Sequence, residues 1–362
     1  MKTKRIHYLD LLRVLAIICV IIIHMSSQSP FYAKNLHTTS WIGVNFWDSM
    51  VRFSVPIFVM ISGVLFLDPQ RKINMHRVYE KNIVRIITAF IFWDLFYALY
   101  TYFFETHTIK MLLTLIFRGY SHLWFLPMIV GLYLIVPFLR KFTTDQKLMQ
   151  YYLVLALFFS ILLPTFYTTY YALAAHHSMP YIVQLFIYNF QKVTDSVYFR
   201  FTMFFSTYFV AGYYFHQAKF TKKMRYLIYL LGLVGLIGGW AFSNFFSLRY
   251  NTPITPWYDY MSLPVALTSI AVFLLIKELG EKIDWARHSQ ADKLLILLSK
   301  LTFGIYLVHF VFVRILVVHF HLFDHIPNTF ISVPLGTIVV FIFSTIVMYF
   351  VSYIPWFNRH IM

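Results

Sequence analysis

Cysteine is almost missing from this chain. Cys19 is the only one in 362 residues, which excludes an intramolecular disulfide framework and a multi-cysteine metal site. Charge is nearly as scarce: 12% of residues are Asp, Glu, Lys or Arg, against 60% hydrophobic, and the mean hydropathy is +0.67. That balance belongs to a polytopic membrane protein rather than to soluble domains. No internal repeat, P-loop, GxSxG elbow, HExxH motif or low-complexity linker occurs. The neighbouring His176 and His177 make a poor metal motif, because adjacent side chains on regular structure point apart, and no metal is assigned.

What is present is a series of apolar runs, each long enough to cross a bilayer as a helix. They predict about ten spans, near 9–28, 41–67, 83–104, 122–139, 149–171, 199–216, 226–246, 260–276, 294–320 and 330–353. The expected fold is an all-α polytopic bundle, a single transmembrane domain over 1–362 with no appended soluble domain. The first run follows KTKR as a signal peptide would, but Arg13 and His24 interrupt it and no small-residue cleavage site follows, so it reads as a retained span. The net charge of +16 is a topology signal before it is a nucleic-acid signal. Of 30 Lys and Arg residues, 19 fall on the side of the N-terminus, five fall opposite and six lie within spans. Both termini are therefore expected in the cytoplasm of a cell (inner) membrane protein. No nucleic acid is expected as a partner.

Three residues of the first span do not belong in lipid: Asp10, Arg13 and His24. Arg13 and His24 are eleven residues apart, about 20° past three full turns, with a rise of about 16 Å, so they share one helix face. Asp10 lies three residues before Arg13 and can pair with it. If the helix enters the core near Leu9, Arg13 lies about 6 Å deep and His24 about 22 Å deep in a core of about 30 Å. Snorkelling of Arg13 and simple packing of His24 are the plainer reading. An Arg and a His in register beside an acid point instead to a polar track through the membrane.

Other spans add to that track. Asp48 and Arg52 are four apart and can pair, while Pro56 and Gly63 predict a kink and a close helix contact. Lys81 and Arg85 open the third span, and Asp94 is a buried acid without an obvious local partner. The stretch MLLTLIF, within 105–121, is too short to span. His122 and Trp124 are placed at the outer interface, where Trp anchors are usual and a sugar could be contacted. The ninth span holds Tyr306 and His309, with His309 about 22 Å from its start, a depth matching that of His24. The outer loop 247–259, with Pro253, Trp257 and Asp259, suits either an interfacial belt or carbohydrate contacts.

With these residues in place, the chain resembles the acyltransferase-3 family, integral membrane enzymes that O-acylate cell-surface glycans. It is most similar to the stand-alone branch typified by the enterobacterial common antigen O-acetyltransferase. Four pieces carry the resemblance: LDLLR with Arg13 and His24, RFSVPIFVMISGVLF from Arg52, HLWFLPMIVGLYLIVP from His122, and LTFGIYLVHF, which contains His309. The third span departs from the family pattern, since YEKNIVRIITAF has only Lys81 and Arg85 as cations and no proline.

The resemblance implies acetyl-CoA or another acyl-CoA as cytoplasmic donor, without a metal. The acceptor it implies is a hydroxyl of a surface glycan or its lipid-linked precursor. Besides membrane lipid, a separate extracytoplasmic protein that accepts the acyl group is an implied partner, because an SGNH-type domain serves fused relatives. In this reading Arg13 and Arg85, with Lys81, neutralise the CoA phosphates. His24 acts as general base or acyl-carrying nucleophile. Asp10 supports the catalytic helix face, Arg52, His309 and Tyr306 orient His24 or stabilise the oxyanion, and His122 and Trp124 meet the acceptor. The competing reading is a transporter or flippase for polysaccharide intermediates, although the inverted repeats frequent in transporters are missing.

The charge asymmetry predicts that alkaline phosphatase fused after Met362 is inactive in cells while a green fluorescent protein fused there is bright. The reverse pattern would overturn the cytoplasmic placement of the C-terminus.

Overall fold

The computed structural model describes residues 5–32, 34–199, 203–285 and 287–361. Among them there is no strand, and nine helices are long and apolar enough to cross a membrane. In lipid a backbone N–H or C=O without a partner costs several kcal/mol, so long apolar stretches close their hydrogen bonds internally as helices.

The bundle is built around α1 (His7–Ser27), whose Leu12, Ala16, Ile17, Ile21 and Met25 are completely buried. It packs against α2 (Thr39–Met50), α3 (Ser54–Phe66) and, from later in the chain, the last three spans. The expected second span is thus two helices. The turn Val51–Phe53 separates them, and α3 restarts with Pro56 in its first turn, where a missing N–H leaves no helical bond unmade. That turn is where Arg52 sits.

Next come α4 (Met75–Thr106), wound wider over Val78–Ile83 and Tyr102–Thr106, then α5 (Ile109–Arg118) and α6 (Phe125–Phe142). The short apolar stretch 111–117 lies within α5, which buries none of its residues and leans on α4. Asp94 does have a partner, though not a local one: its carboxylate accepts the Tyr120 N–H at 2.5 Å and ties down the chain that follows α5. Then follow α7 (Gln146–Ala174) and α8 (Tyr181–Asp195), an outlying hairpin in which α8 buries only Ile187.

Of the segment expected as a sixth span, 199–216, residues 200–202 lie outside the described residues. Its described helix is α9 (Ser206–Gln217), 12 residues long and buried at every position from Ser206 to Tyr213. Its crossing with α3 is very close. A Cβ built on Gly63 would lie 1.8 Å from the Phe209 carbonyl oxygen, and one on Gly212 would lie 2.1 Å from that of Met60. Only glycine lets the two backbones meet this way.

The remaining spans are α10 (Lys222–Tyr250), α11 (Leu263–Lys282), α12 (Ser289–His319) and α13 (Thr329–Val351), followed by the short α14 (Pro355–His360). The connector between α11 and α12 is held to the start of α1. Trp285 donates to the Gly280 carbonyl at 3.0 Å and stacks on His7, which in turn reaches Asp292 at 3.0 Å.

Gly63→Ala forces α3 and α9 apart at backbone contacts that no rotamer change can relieve. The expected cost is about 3 kcal/mol, read as a lower thermal midpoint of the purified protein in detergent. A midpoint within about 2 °C of the parent would show that the crossing is not tight.

Candidate active site

Each end of the site is set by how ions are paired. At the N-terminal end of α1 the buried Asp10 carboxylate accepts from Arg5 at 2.7 and 2.9 Å, from Arg13 at 3.0 Å and from the Ser299 hydroxyl at 2.5 Å. Two cations around one fully hydrogen-bonded carboxylate leave a net positive charge there. Asp10 is 14 residues before His24, about 21 Å along the helix. It therefore pairs with Arg13, as its spacing requires, and groups with the cations rather than with the imidazole.

From this end a cavity of about 250 Å³ runs between α1, α3, α4, α6 and α12. Arg13, Arg85, Ser62, Tyr133 and Thr302 line it, as do His24, His122, Trp124, Tyr260 and Tyr306, with apolar walls from Val20, Ile23, Val55, Phe58, Ile129 and Phe303. Arg13 and His24 do line one cavity, as their register on α1 requires. Arg85 is exposed at residue level and holds its guanidinium 5.7 Å from the Phe303 ring centre. Lys81, one turn earlier and exposed, is not part of the lining.

His24 is half-buried and sits among three rings, with centres 5.2 Å from His309, 5.2 Å from Phe310 and 6.0 Å from His122. His309 is fully buried, and its Nδ1 lies 2.6 Å from the Tyr306 carbonyl oxygen and 3.1 Å from that of Ile305. Carbonyls only accept, so Nδ1 carries the proton and Nε2 holds the lone pair. That Nε2 has no hydrogen-bond partner among the described residues.

His122 is enclosed by protein rather than open to a surface. It is 2% exposed, lies flat on Phe310 at 4.6 Å and meets the edge of Tyr97 at 4.6 Å, with neither ring nitrogen bonded within the described residues. The cause is the tight turn Ser121–Trp124, which folds the histidine inward before α6 begins and leaves Trp124, 38% exposed, at the rim. The three imidazoles cluster, yet no group of three His, Cys, Asp or Glu side chains among the described residues is placed to hold a metal. Tyr306 donates its hydroxyl to the His122 carbonyl at 2.6 Å, so it fixes that turn rather than facing an oxyanion.

Arg52 acts at one remove. It pairs with Asp48, which also accepts from the Tyr32 hydroxyl at 3.1 Å, and its guanidinium lies 5.0 Å from the Tyr258 ring centre and 5.7 Å from that of Tyr260. It does not line the cavity; Tyr260 does, next to Trp124 at 5.6 Å. Tyr260 and Tyr133 are two of the lining residues that sequence reading missed. Both had a signal: Tyr260 directly follows the aromatic loop 247–259, and Tyr133 is eleven residues after His122, the spacing that also relates Arg13 to His24.

One cavity inside a multi-pass bundle thus carries cations at one end, histidines within and aromatic rings at the other. The chain matches the acyltransferase-3 family, described as an acyltransferase domain, over residues 6–356, and it belongs to that family. It is a multi-pass membrane protein and a member of a family of acyltransferases. No curated protein and no solved structure gives a match.

Proposed function

We propose that this protein transfers an acyl group, in the first instance acetyl, from cytoplasmic acyl-CoA to a hydroxyl of a surface glycan or its lipid-linked precursor. It does so as an O-acetyltransferase of the cell membrane with both termini in the cytoplasm. The observation that carries the reading is one cavity with Arg13 and Arg85 at one end, His24 within it, and Trp124 and Tyr260 at the other.

A cavity of about 250 Å³ is below the roughly 300–1,000 Å³ of sites that enclose whole ligands. It suits the pantetheine arm and its acyl group, with the CoA phosphates left at the mouth by Arg85, Arg13 and the nearby Lys81. His24 takes the proton of the acceptor hydroxyl as its oxygen attacks the thioester carbonyl. The C–S bond then breaks, and CoA leaves as the thiol with that proton. His309, its Nδ1–H committed to the backbone, is held with its ring centre 5.2 Å from that of His24 and limits the orientations open to it. Arg52 holds Tyr260, and Tyr306 holds the turn that carries His122 and Trp124.

His24→Ala is expected to lower transfer from labelled acetyl-CoA by at least about 100-fold while the protein still inserts and elutes as the parent does. Parent-like activity would end the assignment. Arg13→Ala leaves Asp10 bonded to Arg5 and Ser299, so the fold should hold. Its KM for acetyl-CoA should rise about tenfold, as for one lost charge-assisted hydrogen bond. An unchanged KM would remove Arg13 from the donor site.

A further inference from the structure

Away from this cavity, the α7–α8 hairpin holds a second cleft, of about 500 Å³, open to the outside of the bundle. Tyr171, Tyr188 and Tyr198 line it together with Gln191, Lys192 and Asp195. The rings are 43%, 62% and 71% exposed, large fractions for aromatic side chains that sit around a concave surface. Tyr198 holds φ at +57°, a left-handed conformation that a bulky residue rarely adopts. The Tyr171 hydroxyl donates to the Gln191 amide oxygen at 2.7 Å, which fixes the amide and leaves its NH₂ as a donor.

The chemistry of this lining selects a ligand class. Tyrosine rings are rigid, flat, apolar faces with a polar edge. Amide and carboxylate groups between them pair with hydroxyls that both donate and accept. Among the described lining residues Lys192 and Asp195 cancel in charge, so these do not supply the cationic excess that a phosphate or a sulfate would need. A neutral polyhydroxylated ring, with C–H groups on its faces and hydroxyls around its rim, satisfies both requirements. The size lies within the range of ordinary ligand sites.

Position links the cleft to the site above. On α7 the Thr165 hydroxyl accepts the Leu263 N–H at 2.8 Å, three residues beyond Tyr260 in the cavity rim. Tyr171 is six residues further along α7, about 9 Å. The cleft therefore adjoins the aromatic end of the cavity and not the Arg13 end.

We infer that the α7–α8 cleft is a second saccharide-binding site, which holds a remote sugar of the acceptor chain while the unit to be acylated enters past Trp124 and Tyr260. This rests on the glycan-acylating reading, and the experiment separates the two. The probe is fluorescein-labelled surface polysaccharide from the source cells, freed of esters by mild base, titrated into the full-length protein in nanodiscs. Tyr188→Ala should weaken binding about tenfold, equivalent to about 1.4 kcal/mol, and Asp195→Asn should weaken it in the same direction. Tyr181→Ala, another exposed ring of α8 that does not line the cleft, should leave binding unchanged. Equal binding by Tyr188→Ala and the parent, or no binding by the parent, overturns the proposal. So does displacement of the label by phosphatidylglycerol vesicles, which would mark a lipid-headgroup site. Binding that behaves as expected in a parent protein that transfers no acetyl group would instead strike the catalytic reading and leave the cleft standing.

Discussion

A guanidinium inside an apolar bundle is costly unless its charge is shared with an acid or a wet cavity, and the architecture here follows from that constraint. Asp10 gathers Arg5 and Arg13 at one end of α1, and Ser299 closes the carboxylate from α12. Asp48 does the same for Arg52 in the break between α2 and α3. Arg13 keeps one face toward the cavity it shares with Arg85 and His24. The ion pairs themselves are local, and the Ser299 hydroxyl on the Asp10 carboxylate ties α12 to α1.

Between those pinned ends the histidine cluster has little freedom. Phe310 and Tyr97 clamp His122, backbone carbonyls of its own helix hold His309, and His24 alone of the three is only half-buried. Two enclosed imidazoles, His122 and His309, thus pack against one that is half-buried. Aromatic residues take over at the far rim, where Trp124 and Tyr260 border the opening and Arg52 lies against the back of Tyr260. The peripheral hairpin α7–α8 attaches to that same rim through Thr165 and contributes little to the core.

Several of these features could be read from the chain directly. Hydropathy located nine of the spans, because apolarity over some twenty residues is a local property and lipid leaves a helix as the available backbone solution. Helical periodicity put Arg13 and His24 on one face and paired Asp10 with Arg13 and Asp48 with Arg52, because neighbours three or four apart must meet on any helix. Gly63 showed as a close contact because a glycine beside Ser62 in an apolar helix has few other uses.

What depended on packing between helices could not be read this way. His122 seemed interfacial because it borders a Trp near a span end, but a four-residue turn rotates it into the core. Arg52 seemed to face the reaction, yet the break at Val51–Phe53 points it at Asp48 and two tyrosine rings. Within the stretch 199–216 the described helix α9 is buried by its neighbours, and hydropathy cannot distinguish burial in protein from burial in lipid. Local sequence determined which segments are helical and which charges pair within a turn. The tertiary structure decided which side chains share the cavity, because that depends on the rotation and depth of each helix relative to the others.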